Sequence, residues 1–182
     1  MTILPFPGRS ARDTSSRVDR VEALLAENES ALIRYAARLL GDDPDGARDV
    51  VQEAFLRLCR QDDLEGVGRE WLFTVTRNLC VDHRRKQGRM TPTDEIEDVH
   101  AGRPDAHGAP EPPARVEDED LAQALGRLPE RQQEALRLKF EAGLSYAEIA
   151  GVLGTSAGNV GWILHHAIKG LKTRLAPEGG AR

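Results

Sequence analysis

LSYAEIAGVLGTSAGNVGWILHHAIKGL (Leu144–Leu171) has the punctuation of two short helices joined by a tight turn. Ser145 is followed three residues later by Glu148, the spacing at which a hydroxyl and a carboxylate satisfy the orphan N–H groups of a first helical turn. Ile149, Val152 and Leu153 then recur at helical spacing, and Gly154 ends the run as a residue free to adopt positive φ. Thr155 and Ser156 offer hydroxyl caps to a second helix, in which Val160, Leu164, Ala167, Ile168 and Leu171 share one face. A helix, a short turn with glycine and a second helix can place the second helix in a major groove. Taken alone, the pattern fits equally a helix pair that merely packs against its neighbours.

Outside this stretch the chain also reads as helical. Of its 182 residues only 4% are aromatic, which disfavours a large β-sandwich or an aromatic platform for stacking bases. No apolar run is long enough to span a membrane, and MTILPFPGRS lacks the apolar core of a signal peptide, so a cytoplasmic protein without membrane insertion is expected. Cys59 and Cys80 sit inside helical patterns and are expected to be buried, reduced thiols. Net charge is −5, yet it is unevenly spread: residues 91–120 carry 2 basic and 10 acidic groups, whereas residues 121–182 carry 8 and 5. Local fields matter more than that sum for a polyanionic partner.

Residues 1–17 lack periodicity and are expected to form a disordered tail. From Val18 the pattern turns helical, with Val21, Leu24 and Leu25 on one short face and Leu32, Ile33, Ala36, Leu39 and Leu40 on another that ends at Gly41. Asp43 caps the next helix, with Pro44 at its first position. There Ala47, Val50, Val51, Ala54, Phe55, Leu58 and Cys59 form a wide buried stripe. Asp49, Gln52, Glu53, Leu56 and Arg60 lie opposite. A leucine among charges is either a partner surface or a single exposed side chain of no consequence.

A third helix is expected from about Arg69 to Lys86, with Leu72, Val75, Leu79 and His83 on one side and Thr74, Arg77, Asn78, Val81, Arg84 and Arg85 towards the other. From Trp71 to Met90 five basic groups face one acid. Basic groups with an Asn and nearby aromatics suit contact with phosphate and base; a basic helix C-terminus also suits the helix dipole. Residues 89–117 are proline-rich, glycine-containing and acidic, a composition that cannot bury enough surface to fold and reads as a flexible linker. Helices resume with Leu121, Ala124, Leu125 and Leu128, and Pro129 starts PERQQEALRLKF, whose core side is expected to be Ala135, Leu136, Leu138 and Phe140, before Gly143. The expected architecture is therefore all-α. Two small helical domains (18–88 and 118–175) are joined by an acidic linker, and 176–182 form a tail.

Three blocks, DVVQEAFLRL (Asp49–Leu58), WLFTVTRNLCVDHRRK (Trp71–Lys86) and LPERQQEALRLKFEAGLSYAEIAGVLGTSAGNV (Leu128–Val160), resemble the extracytoplasmic-function sigma factors of bacterial RNA polymerase, in that family's order. The resemblance implies a non-catalytic promoter-specificity subunit that needs no metal or cofactor and serves a stress or envelope-response regulon. It implies that Asp49, Gln52, Glu53 and Leu56 grip the clamp helices of the polymerase's largest subunit. It implies that Trp71, Arg77, Asn78, Arg84, Arg85 and Lys86 open the −10 element and hold its strand. Ser145, Thr155, Ser156, Asn159, Trp162, His165, His166 and Lys169 fall in the −35 reader. The polymerase flap and an anti-sigma factor are the other partners such factors have, and the linker matches the segment that threads the RNA path.

The chain departs from the family after Val160, where basic or hydroxyl residues are usual and Gly161, Trp162 and Ile163 stand instead. Each missing phosphate-binding group should weaken DNA binding and flatten its salt dependence. Lysine at Gly161 and arginine at Ile163 are therefore expected to restore it. Trp162 has three readings: contact with a thymine methyl or sugar, insertion into a partner's pocket, or packing on the chain's own tail. His165 and His166 can donate to phosphate; as adjacent helical residues they point apart and do not make a metal pair. Cys80 and His83 lack the second pair a zinc site needs. No dimer-forming element accompanies the helix pair, so a monomer is expected. A stand-alone helix-turn-helix regulator is the alternative function. No phosphate-cradling glycine loop or nucleophile elbow marks an enzyme.

Overall fold

The computed structural model describes residues 11–88 and 118–175; the N-terminal ten residues, the acidic linker and the tail after Leu175 lie outside the described residues. The chain divides into two compact units, Met1–Thr91 and Pro92–Arg182. Every described element is a helix.

The first unit packs α1 (Ala11–Leu39), α2 (Pro44–Cys59) and α3 (Arg69–Lys86) around one core. Leu32, Tyr35 and Ala36 of α1, with Leu40 just past its end, meet Val50, Val51, Ala54, Phe55 and Leu58 of α2, and Leu72, Phe73, Thr76 and Cys80 close the third side. The rings of Tyr35 and Phe73 meet edge to face, 5.3 Å apart, a favoured aromatic geometry. Asp43 caps α2 by accepting the Gly46 N–H at 3.0 Å, with Pro44 in the first turn. That cap folds so closely over the helix that a Cβ at Gly46 would lie 2.5 Å from the Asp43 carboxylate. Position 46 is thus closed to a side chain unless the cap moves.

Several expectations change here. α1 is one 29-residue helix, and it begins at Ala11, inside the segment read as an unstructured tail. Its first turns show no apolar period, so the sequence carried no signal. They are held by a tertiary contact instead. The Arg17 guanidinium donates to the carbonyls of Cys59, Gln61 and Asp62, where α2 ends and its dipole favours a cation. Arg20 donates to the Val67 carbonyl at 3.3 Å. Cys59, expected in the buried stripe, is exposed at the last turn of α2, whereas Cys80 is buried. On α3 the core line runs through Leu72, Phe73, Thr76 and Cys80, and Val75, Leu79 and His83 are only half-buried at its edge.

The second unit contains α4 (Asp118–Gly126), α5 (Glu130–Leu136), α6 (Tyr146–Leu153) and α7 (Ala157–Leu175). α5 runs into a wide π-helical turn, Arg137–Glu141. The extra residue in that turn rotates the following positions. Leu138 stays fully buried, but Phe140, expected on the core side, is 64% exposed. The core is built from Leu128, Ala135, Leu136, Leu138, Leu144, Ile149, Val152, Val160, Ile163, Leu164 and Ala167. Ile163, set among the family's cationic positions by sequence, is thus a core residue.

Candidate nucleic-acid and polymerase interfaces

On α2 the face away from the core presents Asp49, Gln52 and Leu56, all exposed, with Glu53 half-buried between them. Glu53 accepts from Arg57 Nε at 3.0 Å and lies 4.0 Å from Arg60 Nη1. Leu56 stands 43% exposed beside these pairs. Exposed ion pairs contribute little to stability, so this pattern orders the surface more than it holds the fold. An ordered charged rim around one exposed leucine is suited to receiving a helical partner.

α3 presents its expected residues along two lines. Trp71, Asn78 and Arg85 are spaced seven apart and lie opposite the core line; Arg77 and Arg84, also seven apart, lie on the flank. Asn78, Arg85 and Lys86 are exposed, and Trp71, Arg77 and Arg84 are half-buried. The last turn carries His83, Arg84, Arg85 and Lys86 together. Among the described residues this is a cationic helix end with an amide and an indole on its outer line. It can hold phosphates and offer hydrogen bonds to an exposed base.

In the second unit the helix pair is built by its own local hydrogen bonds. Ser145 N–H donates to Glu148 Oε2 at 2.7 Å, and Glu148 N–H donates to Ser145 Oγ at 3.3 Å. This reciprocal cap starts α6. Gly154 ends it with φ 61° and ψ 42°, the left-handed conformation that glycine adopts without penalty. Ser156 Oγ then accepts the Asn159 N–H at 3.2 Å and starts α7. From outside the pair, Arg131 of α5 donates to the carbonyl of Leu153, the last residue of α6, at 3.3 Å.

The eight −35 residues expected from sequence fall into two groups. Ser145 caps the start of α6, whereas Thr155, Ser156 and Asn159 form the turn into α7, where Asn159 Nδ2 donates to Thr155 Oγ1 at 2.8 Å. Trp162, His165, His166 and Lys169 lie one to three turns further along α7. His165, His166 and Lys169 are exposed, and Trp162 is half-buried. The Trp162 and His166 rings stack with centroids 4.0 Å apart and planes 30° apart. Trp162 therefore packs on the next turn of its own helix. His165 and His166 meet edge to face at 5.5 Å.

Tyr146 was not singled out by sequence. It is 44% exposed, and its ring would be 3.6 Å from a Cβ at Gly161. Lys139 Nζ lies 5.2 Å from the centre of the same ring. The only sequence signal was Gly161 itself, a gap in a helix face that a neighbouring ring can occupy. Among the described residues no group of three or more His, Cys, Asp or Glu side chains is placed to hold a metal ion, and no helix is long and apolar enough to cross a membrane.

Comparisons with known proteins agree with this layout. The sigma-70 region 2 model matches residues 24–90, and the sigma-70 region 4 model matches residues 118–171. The chain is 34% identical over 169 residues to the ECF RNA polymerase sigma factor SigL of Mycobacterium tuberculosis, covering 89% of this chain and 92% of that protein. It is 32% identical over 151 residues to the ECF RNA polymerase sigma factor EcfG of Rhodopseudomonas palustris, covering 81% of each. Among solved structures it resembles the sigma factor RpoE from Bartonella quintana, crystallised with the anti-sigma factor NepR. The TM-score is 0.57 and the identity 26%, over 88% of this chain and 99% of that one. A stand-alone helix-turn-helix regulator is not favoured, because the first unit carries a region of its own that such a regulator does not need. The chain belongs to the sigma-70 family, as an extracytoplasmic-function sigma factor that directs RNA polymerase to initiate transcription at promoters.

Proposed function

We propose that the three surfaces divide the work of initiation. The outer face of α2, with Asp49, Gln52, Glu53 and Leu56, docks on the clamp helices of the polymerase's largest subunit. The cationic face of α3, with Trp71, Arg77, Asn78, Arg84, Arg85 and Lys86, receives the −10 strand as the duplex opens. The α6–α7 pair reads the −35 element, with Ser145 starting α6, the turn residues Thr155, Ser156 and Asn159 setting the angle of α7, and Trp162, His165, His166 and Lys169 facing DNA. The second unit also meets the polymerase flap, and an anti-sigma factor occludes one or more of these faces; that the similar RpoE of Bartonella quintana was crystallised with an anti-sigma factor supports such a partner.

The observation that carries this reading is Leu56, 43% exposed within an ordered charged rim on a helix whose other side is core. An apolar side chain so placed gains its stabilisation when a partner covers it. Transcription in vitro with sigma-free core polymerase on a genomic template pool is the test. Promoter-specific transcripts that depend on the added chain support the reading. A folded chain that yields none sinks it.

A further inference from the structure

His166 is exposed on α7, yet one of its ring nitrogens is committed. Nδ1 lies 2.9 Å from the carbonyl oxygen of Trp162, one turn back. A carbonyl oxygen can only accept, so Nδ1 carries the proton in this contact. The indole of Trp162 stacks on the same imidazole and holds its plane. In the neutral ring Nε2 is then a lone-pair acceptor, and among the described residues it has no hydrogen-bond partner. A helix facing DNA usually offers donors, which suit phosphates and guanine. Here an acceptor is oriented by two contacts from a single neighbour.

We infer that His166 is a specificity-determining residue that accepts a hydrogen bond from a base amino group in the major groove. It thereby selects adenine or cytosine over guanine or thymine at one position of one strand in the −35 element. This follows from the groove's chemistry. Adenine N6 and cytosine N4 are donors, whereas guanine O6 and thymine O4 are acceptors that would face the Nε2 lone pair. A keto base at that position leaves two acceptors opposed. Such a mismatch costs about one hydrogen bond, or about fivefold in selection. Trp162 acts as the positioning residue, supplying both the carbonyl and the stacking surface. The inference rests on the proposal that α7 reads duplex DNA.

The test uses holoenzyme assembled from the full chain and sigma-free core polymerase, at pH 8, on templates randomised through both promoter elements. Transcribed templates are sequenced. The native chain is expected to enrich adenine and cytosine about fivefold over guanine and thymine in one upstream column. His166→Lys, which offers only donors, should turn that column towards guanine and thymine and leave the others unchanged. His166→Gln, which offers an acceptor beside a donor, should narrow it to adenine. Identical columns for the native chain and both variants would overturn the role of His166 while leaving α7 a DNA reader. No enriched upstream column for the native chain, with −10 enrichment intact, would overturn the reading of α7 itself.

Discussion

The side-chain amide of Asn159 donates to the hydroxyl of Thr155 at 2.8 Å, tying the first turn of α7 to the residue that follows Gly154. The backbone N–H of Asn159 is bonded as well, to Ser156 Oγ. Asn159 is thus engaged in holding the turn before any base is near. Asn159→Ala should destabilise the folded chain by about 1 kcal/mol, the usual worth of one such bond. A thermal melt without DNA is the check, since a residue that served bases alone would leave the melt unchanged.

Gly161 and Ile163 should respond in opposite ways. A Cβ at 161 meets Tyr146 at 3.6 Å, ordinary van der Waals contact, so Gly161→Ala should stabilise α7 by roughly 0.5–1 kcal/mol through helix propensity. Ile163 is 2% exposed, so Ile163→Arg buries an unpaired charge and should cost more than about 3 kcal/mol. Restoring a cation at 163 is therefore closed to this chain as a route to stronger DNA binding. Denaturant titration of both variants decides the point.

Leu56 and Glu53 separate docking from folding. Leu56 is exposed and the Glu53 pairs are surface pairs, so Leu56→Ala and Glu53→Lys should each leave stability within about 0.5 kcal/mol of the native value. The double variant should nevertheless fail to co-purify with core polymerase. Retained co-purification would remove this face from the docking surface.

Arg84 and Arg85 close the cationic end of α3, and their replacement by alanine should impair strand opening. Permanganate reactivity of thymines near the start site should fall while holoenzyme still assembles. The same variant should show a shallower dependence of promoter binding on salt, by about one ion for each phosphate that the helix no longer neutralises.

The helices and their caps were readable because each rests on a local rule. Ser145 with Glu148, Asp43 with Pro44, and Gly154 announce where helices begin and end, and all three appear in the structure in those roles. What could not be read was set by contacts distant along the chain. Arg17 extends α1 by reaching carbonyls more than 40 residues away. The core line of α3 is shifted because Phe73 finds Tyr35. Sequence offers Trp162 three readings, and none of them is the stacking on His166 of the same helix seen in the structure, a contact that spacing alone permits but does not compel.

Phe140 failed for a different reason. A period of 3.6 residues was carried through Arg137–Glu141, where the helix widens. The wide turn has one residue more than a regular helix of the same rise would hold. A relative lacking that residue can keep Leu136 and Leu144 in place by closing the turn to ordinary pitch. Sequence alignments across this point then belong with a gap inside a helix, and a gap moved to the neighbouring loop would mispair every position up to it.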